Sequence, residues 1–337
     1  MTVSIRPANP CDLEHLAELF LEDAKVRHAQ DPVLWALERG PRKKIVSTLK
    51  AAMEADAPVM RQIWLIAEAD GVVVGVAHSI LLPVPPIYAG VFGPPGLIME
   101  DCYVAPGAPP DTYVLLLNAA EADLIAAGAR ILLGSSVEGG AWAAHYLGHG
   151  YEPLTCYFAK SGLAQTVMPD SVRNAEPEDV AGIVASSAVN RQILWDLHRV
   201  FWEPHHEADK RFASWMQRSL TLTDRDMFVS GMDGEVQGYA ISQPATPLHF
   251  PTPHDISAVG VIDDFYHDAL EAVDQLGATA GQAVALFEAA ETARAQRDNA
   301  ALLVVCPAAW TSKIELLTAA GYSNAVTWFY KYVAAST

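Results

Sequence analysis

One pattern occurs twice in this chain, and it constrains the fold more than any other feature of the sequence. The stretch "SIRPANPCDLEHL" begins at Ser4, and the stretch "SVRNAEPEDVAGI" begins at Ser171. They share Arg, Ala, Pro and Asp at one spacing, namely Arg6, Ala8, Pro10 and Asp12 against Arg173, Ala175, Pro177 and Asp179. Self-similarity at a fixed offset predicts two copies of one structural unit. In each copy a short strand leads into a helix that opens with proline and an acidic residue.

Both copies continue with a predicted β-hairpin. The segments "IWLIAEADGVVVGVAHS" and "MFVSGMDGEVQGYAIS" each read as strand, Asp-Gly and strand. Asp70-Gly71 and Asp233-Gly234 are therefore the expected turns, because Asp-Gly favours the two-residue hairpin.

The rest of the unit also repeats. Each hairpin is followed by a proline-rich loop and by a strand that ends in paired acids, Glu100-Asp101 in the first copy and Asp263-Asp264 in the second. A helix, a buried strand, a short helix and an aromatic strand follow. The aromatic strands begin after Gly150-Tyr151 and Gly321-Tyr322.

This order predicts an α/β protein with two tandem domains, each of which contains an α+β mixed sheet. A chain of 337 residues with 51% hydrophobic content can fill two cores. We place the N-terminal domain at residues 1–162, a linker at 163–171 and the C-terminal domain at 172–337.

Charge and cysteine content exclude several classes of partner. The formal net charge of -18 opposes binding to nucleic acid, which needs clustered Lys and Arg. The four cysteines are scattered without paired spacing, so we expect neither a zinc site nor a disulfide framework.

The N-terminus "MTVSIRPANPCD" has no apolar signal-peptide core, and no apolar run is long enough for a membrane span. We expect a soluble, cytoplasmic protein without a membrane partner.

The repeated order, with the helix "LLNAAEADLIAAGA" followed by strand, short helix and Gly-aromatic strand, resembles the GNAT superfamily of N-acetyltransferases. The resemblance covers nearly the whole chain, once in each copy. It implies tandem GNAT-like acyl-CoA N-acyltransferase domains, acetyl-CoA as co-substrate and a small-molecule amine as acceptor.

The family's most specific motif joins the fourth strand to the next helix, with Arg or Gln, two residues, Gly, one residue, and Gly or Ala. Such small residues let backbone N–H groups approach a pyrophosphate at a helix N-terminus. The first copy has Ala108, Asp111 and Tyr113 there, which suit a phosphate poorly. The second copy keeps Gly-x-Ala, and the resemblance implies cofactor binding by Thr279, Ala280, Gly281, Gln282 and Ala283. The alternative is a helix start made of small residues for packing.

Tyr146 matches the family's tyrosine that protonates the leaving thiolate, four residues before the Gly-aromatic pair. Leu317 stands at this position in the second copy and cannot donate a proton. The alternative for Tyr146 is packing beneath the last strand.

The catalytic base is predicted among Glu100, Asp101, Asp263 and Asp264. Alternate residues of a strand face opposite sides, so one acid of each pair is expected to face the pocket. Burial would raise the pKa of such an acid. Alternatively, these acids face solvent or neutralise an arginine.

The proline-rich loops are expected beside the acceptor. The second copy also carries an aromatic-rich helical insert, with Trp195, Phe201, Trp202, Phe212 and Trp215. These rings, with acids, would seat a cationic acceptor, or they pack the helices of one domain against the other. His205, His206, Glu207 and Asp209 lack a recognised metal-ligand spacing, so no metal is predicted. Extra residues after Asp264 would close the second cofactor slot if they fold over the fourth strand.

Two function classes remain open. The first is an N-acetyltransferase that acylates the amine of a small molecule by direct transfer. The second is a degenerate GNAT-fold protein that binds a small ligand or partner without transfer. In a structural version, the first domain only supports the second as an internal pseudo-dimer. The sequence also leaves a homodimer open.

Overall fold

The computed structural model describes residues 2–56, 58, 60–163, 165, 167, 169–231, 235–248 and 250–334. The described residues form eight α-helices and thirteen strands, and all the strands join one mixed sheet. None of the helices in this part of the chain is long and apolar enough to cross a membrane.

The first half follows the predicted order. Its elements are β1 (Val3–Pro7), α1 (Leu13–Gln30), α2 (Pro41–Met53), β2 (Gln62–Ala69), β3 (Val72–Leu81), β4 (Gly96–Ile98), β5 (Tyr103–Val104), α3 (Thr112–Ala126), β6 (Ile131–Val137), α4 (Trp142–Gly148) and β7 (Glu152–Ser161). One difference is that the predicted fourth strand breaks at a turn, and β4 and β5 lie on either side of it.

The second half repeats this order. Its elements are β8 (Val172–Asn174), α5 (Val180–Leu197), α6 (Ala208–Ser219), β9 (Asp226–Ser230), β10 (Gly238–Pro244), β11 (Val259–His267), α7 (Ala280–Gln296), β12 (Ala301–Pro307), α8 (Thr311–Ala319) and β13 (Ser323–Tyr332). The predicted mixed α/β architecture is therefore confirmed.

The identities shared by the two copies stabilise the entry to the first helix of each half. Arg6 donates two hydrogen bonds to Asp12, at 2.8 and 2.9 Å. Arg173 does the same to Asp179, at 2.6 and 2.7 Å. Each aspartate also accepts a backbone N–H three residues before it, as in a capping box. The strongest repeat in the sequence is thus structural.

The predicted hairpin turn at Asp70-Gly71 is confirmed. Both residues have positive φ, 50° and 81°, as a type I′ turn requires. The turn predicted at Asp233-Gly234 lies outside the described residues.

The last strands are exchanged between the halves. The sheet order is β1-β2-β3-β4-β6-β13-β7-β12-β11-β10-β9-β8, with β5 paired to β3. Strand β13, from the end of the second half, pairs with β6 of the first half. Strand β7, from the end of the first half, pairs with β12 of the second half, and β7 and β13 pair with each other. Strand pairing therefore crosses the domain boundary predicted from the sequence.

Two repeated lysines reinforce the exchange. Lys160 on β7 bonds Glu291 on α7 at 2.7 Å. Lys331 on β13 bonds Glu121 on α3 at 2.9 Å. Each lysine thus holds the last strand of one half to a helix of the other half.

This exchange predicts that the two halves stay together after the chain is cut between them. A protease site placed within residues 163–171 should give two fragments that co-elute in size-exclusion chromatography. The reason is that each last strand pairs with the other fragment: β7 pairs with β12 and β13, and β13 pairs with β6 and β7. Fragments that separate under native conditions, while the uncut chain elutes as before, would contradict the exchanged pairing.

Candidate functional site

Each half contains a cavity where two parallel strands stop pairing. Strands β4 and β6 pair up to Ile98 and Gly134, and strands β11 and β12 pair up to Ile262 and Val304. Beyond these points the strands diverge, as at the open edge where α/β sheets bind ligands.

The first cavity has a volume of about 190 Å³. Its lining comes from α1, the turn after β4, the start of α3, the end of β6 and the start of α4. The residues are Asp23, Val26, Arg27, Gln30, Glu100, Cys102, Tyr103, Val104, Tyr113, Ser136, Val137, Gly139, Gly140, Ala141 and Trp142.

The second cavity has a volume of about 290 Å³, and in the second half its lining comes from α5, α6, β11, β12, α8 and the loop that carries Trp202. A loop and a strand of the first half complete it. The residues are Pro85, Ile87, Tyr88, Thr155, Ser187, Asn190, Arg191, Leu194, Trp202, Trp215, Asp263, Asp264, Phe265, Val305, Pro307 and Lys313.

Glu100 is a buried acid in the wall of the first cavity. Its Oε1 has no hydrogen-bond partner among the described residues. Burial raises the pKa of Glu100 to about 7, against the opposing attraction of Arg27. A carboxyl group with this pKa can take up a proton near neutral pH.

Arg27 connects Glu100 to a second acid, and the sequence analysis missed both Arg27 and Asp23. The Arg27 guanidinium donates to the backbone carbonyl of Glu100 and, at 2.6 Å, to the carboxylate of Asp23. Burial also raises the pKa of Asp23 to about 7. No motif marks these two residues, although their i,i+4 spacing on α1 puts them on one face of the helix.

Asp101 points away from the first cavity. Its carboxylate lies 3.0 Å from Nδ1 of His78, and the His78 ring stacks on Trp64 with 4.7 Å between the ring centroids. Glu100 and Asp101 therefore have different surroundings, and Glu100 is the acid that lines the cavity.

In the second half, both acids of the pair line the cavity, so the expectation that only one would do so is wrong there. The pairing of β10 with β11 shifts register between Ile241 and Ser242, opposite Asp264 and Ile262. This bulge leaves Asp263 out of the ladder and breaks the alternation of side chains. The sequence gives no local sign of the bulge.

Both acids of the second cavity accept hydrogen bonds, and neither forms an ion pair with another described residue. Asp264 Oδ1 accepts hydrogen bonds from Tyr239 at 2.7 Å and from Asn190 at 3.2 Å. Asp263 Oδ2 accepts one from Gln243 at 2.5 Å, and its Oδ1 has no partner among the described residues. Burial raises the pKa of both, that of Asp263 to about 7.

Equivalent side chains cross the gap between the diverging strands in the two halves. Trp142 Nε1 donates to the carbonyl of Cys102 at 2.8 Å. Lys313 Nζ donates to the carbonyl of Phe265 at 2.5 Å. Burial lowers the pKa of Lys313 to about 8. Both residues precede the Gly-Tyr pair by the same interval, so their equivalence is readable from the sequence although their contacts are not.

The extra residues after Asp264 close the second half further. After β11 ends at His267, they form a 3-10 turn, Asp268–Leu270. The carbonyl of Leu270 accepts a hydrogen bond from Trp310 Nε1 at 3.0 Å, and that of Val273 accepts one from the Ser312 N–H at 2.9 Å. This segment therefore ties the end of β11 to the start of α8.

The predicted cofactor residues of the second half lie at the start of α7. Thr279 precedes the helix, and Ala280, Gly281, Gln282 and Ala283 form its first turn. Gly281 is exposed, and a Cβ there would meet no atom within 4 Å. None of the five lines the second cavity. In the first half, by contrast, Tyr113 in the first turn of α3 does line the cavity.

Tyr146 is fully buried in the core of the first half. Its hydroxyl lies 3.4 Å from the carbonyl of Ser135, and its ring packs against Tyr151 and Phe329. It lines neither cavity. Burial raises the pKa of its hydroxyl well above the usual range. The proposed acid role of Tyr146 stays a prediction that this position does not favour.

The proline-rich loops reach across to the opposite half. The carbonyl of Ile87 accepts the His205 N–H at 2.9 Å, so the first loop covers the second cavity. The carbonyl of Pro253, in the second loop, accepts the Glu38 N–H at 2.9 Å beside α1 of the first half. Residues of both halves thus combine around one cavity, which the sequence analysis could not establish.

Of the aromatic residues in the insert of the second half, Trp202 and Trp215 line the second cavity. Phe212 lies in the core under Arg191. Trp195 packs on Arg199, and Phe201 packs on Tyr330.

Among the described residues, one group has metal-ligand geometry. The potential ligand atoms of His205, His206 and Glu207 lie within 4.8 Å of one another. However, the Glu207 carboxylate already accepts hydrogen bonds from Lys210 and Arg211, and His205 Nδ1 accepts the Glu207 N–H. These competing contacts do not favour a metal.

The raised pKa of Glu100 predicts a pH-dependent effect on stability. Between its usual value of 4.5 and about 7, folded Glu100 holds a proton that the unfolded chain has lost. The free energy of unfolding therefore falls as the pH rises through this window. Glu100→Gln should change the free energy of unfolding more favourably at about pH 8 than at about pH 4, and the difference between the two changes should be on the order of 2 kcal/mol. Urea denaturation at both pH values measures this difference.

Glu22→Gln, at an exposed position of α1, is the control and should change the free energy of unfolding little at either pH. An effect of Glu100→Gln that is equal at both pH values would contradict the raised pKa.

Comparison with known proteins gives structural matches only. No family model matches the sequence, and no curated protein sequence matches it. A GCN5-related N-acetyltransferase from Sphaerobacter thermophilus is similar in structure, with a TM-score of 0.58 and 15% identity over 99% of this chain and 97% of that chain. A tandem GNAT protein from the clavulanic acid biosynthesis pathway matches with a TM-score of 0.49 and 12% identity over 100% of both chains. The match to the Sphaerobacter thermophilus protein shows that the chain has the fold of a GCN5-related N-acetyltransferase over 99% of its length, and the order of helices and strands occurs twice within it.

Proposed function

We propose that the chain transfers an acyl group from acetyl-CoA to the amine of a small molecule, and that the first half carries out the transfer. One observation carries this assignment. Both the buried acid Glu100 and Tyr113 at the start of α3 line the first cavity, whereas no residue of α7 lines the second. The sequence analysis placed the cofactor at Thr279–Ala283, and the absence of these residues from the lining of the second cavity favours the first half instead.

The residues of the first cavity fit an extended thioester arm. The gap between the turn after β4 and the end of β6 leaves backbone groups outside the sheet, where an amide-containing chain can bond them. Gly139 and Gly140 line the cavity without side chains. A Cβ on Gly140 would meet the Val137 carbonyl oxygen at 2.9 Å. The N-terminus of α3 favours anionic groups at the far end.

Glu100 supplies the base in this proposal. Its pKa of about 7 lets it remove the ammonium proton at neutral pH, and Arg27 fixes the backbone at Glu100. Acetyl-CoA supplies an activated acyl group. Asp101, Asp263, Asp264 and Tyr146, which the sequence analysis also named, have no part in this version of the reaction.

Asp111 should limit affinity for the cofactor. It is exposed at the residue before α3, where its charge opposes phosphate. Coulomb repulsion at a surface helix terminus costs about 0.3–1 kcal/mol. Acetyl-CoA binding should therefore be weak and should improve when this charge is removed.

The experiment is a thiol-release assay with acetyl-CoA and a panel of primary amines of increasing size. The rate should rise with pH through about 7, because Glu100 must be ionised to act as base. Glu100→Gln should lower kcat by about 10²-fold or more while acetyl-CoA affinity stays within a few-fold. An unchanged kcat in this variant would remove Glu100 from the mechanism.

Two substitutions at the same motif position locate the cofactor. Asp111→Trp should abolish acetyl-CoA binding in calorimetry, and Gly281→Trp should leave it unchanged. Asp111→Asn should tighten binding by about threefold. The opposite result for the two tryptophan variants would return the cofactor to the second half.

A second function, ligand binding without transfer, is favoured by the hydrogen bond from Trp142 to the Cys102 carbonyl, which occupies the gap between the strands. It predicts that no amine of the panel releases thiol from acetyl-CoA.

A further inference from the structure

We propose that the second cavity is a separate binding site for a small organic ammonium ion with an apolar body, held by Asp263 and Asp264 against the rings of Trp202, Trp215 and Tyr88. This site goes beyond the proposed acyl transfer, which uses the first cavity.

The two acids of the cavity are not hydrogen-bonded to its two cations, Lys313 and Arg191, although the charge of both cations lowers the pKa of Asp264 against the larger effect of burial. Neither Asp263 nor Asp264 forms an ion pair among the described residues. Lys313 directs its ammonium to the Phe265 carbonyl, and Arg191 bonds Ser187 and Asp209. A cationic ligand would supply the missing partner, since buried carboxylates are stabilised by a nearby opposite charge.

Asp263 has a carboxylate oxygen that is available to accept a hydrogen bond from a ligand. Its Oδ2 accepts a hydrogen bond from Gln243, while its buried Oδ1 has no partner among the described residues. Buried polar atoms normally have a hydrogen-bond partner, so an ammonium N–H fits this position.

The rest of the wall suits the body of an organic cation. Trp202 and Trp215 contribute indole rings, and Tyr88 contributes a phenol ring from the first half. Aromatic faces attract ammonium groups, most strongly where water is excluded. Leu194 and Val305 add aliphatic surface.

The predicted cofactor residues at the start of α7 do not line this site. Lys313 donates a hydrogen bond to the Phe265 carbonyl, and Trp310 and Ser312 donate to the Leu270 and Val273 carbonyls, so these bonds tie β11 and the segment after it to α8. The second cavity is therefore assigned to binding rather than to acyl transfer.

The loop that covers the site belongs to the first half. Pro86 and Ile87 accept hydrogen bonds from Arg211 and His205 of the second half, at 2.8 and 2.9 Å. A ligand held beneath Tyr88 would therefore contact both halves and stabilise their association.

The test is NMR of the full chain, following the indole N–H signals of Trp202, Trp215 and Trp142, each assigned with a Trp→Phe variant. Phenethylamine is the probe, and 2-phenylethanol is its uncharged counterpart. Phenethylamine should shift the signals of Trp202 and Trp215 at millimolar concentration, and 2-phenylethanol should bind at least about tenfold more weakly. Trp142 reports on the first cavity independently.

Asp263→Asn keeps an acceptor for Gln243 and should weaken phenethylamine binding at Trp215 by about tenfold. Glu100→Gln, at the equivalent position of the first half, is the matched control and should leave phenethylamine binding at Trp215 unchanged. Unshifted indole signals in the free Asp263→Asn variant confirm that it is folded, and Trp215→Leu is a second variant expected to lose affinity.

Equal binding of the amine and the alcohol would overturn the proposal, as would no shift at Trp202 and Trp215. A shift of these two signals by acetyl-CoA would also overturn it, because the cavity would then take the cofactor. A different result would contradict the proposed function alone: acetyl-CoA does not shift the indole signal of Trp142, while phenethylamine still shifts that of Trp215.

Discussion

The pairing of β7 with β13 is the interaction on which the rest of the molecule depends. Because these two strands lie between β6 and β12, each half completes its sheet with the last strand of the other half. The salt bridges of Lys160 and Lys331 fix the same exchange from the helix side. The two cavities consequently lie on either side of one shared pair of strands, and Thr155 of β7 lines the second.

The duplicated plan has produced two different cavities. In the first half, an aromatic side chain, Trp142, crosses the gap and the cavity still reaches α3. In the second half, no residue of α7 lines the cavity, and its lining includes two acids and two indole rings. We propose that the first half binds a thioester and the second half binds an organic cation.

Local sequence patterns predicted the local structure well. Asp70-Gly71 requires a tight turn, and Gly150 and Gly321 adopt the positive φ that ends a helix, so their roles follow from backbone sterics. The exchange of last strands could not be predicted, because a strand ending in Phe-x-Lys has the same pattern whichever sheet it joins. The bulge at Asp263 and the buried position of Tyr146 depend on distant partners for the same reason.

Hydrogen–deuterium exchange with and without acetyl-CoA tests the central claim most directly, because it reports on both halves in one experiment. The account predicts protection of residues 100–115 and 135–143, which surround the first cavity, with residues 263–283 and 305–314 unchanged. Protection confined to the second set of residues would contradict the assignment of acyl transfer to the first half.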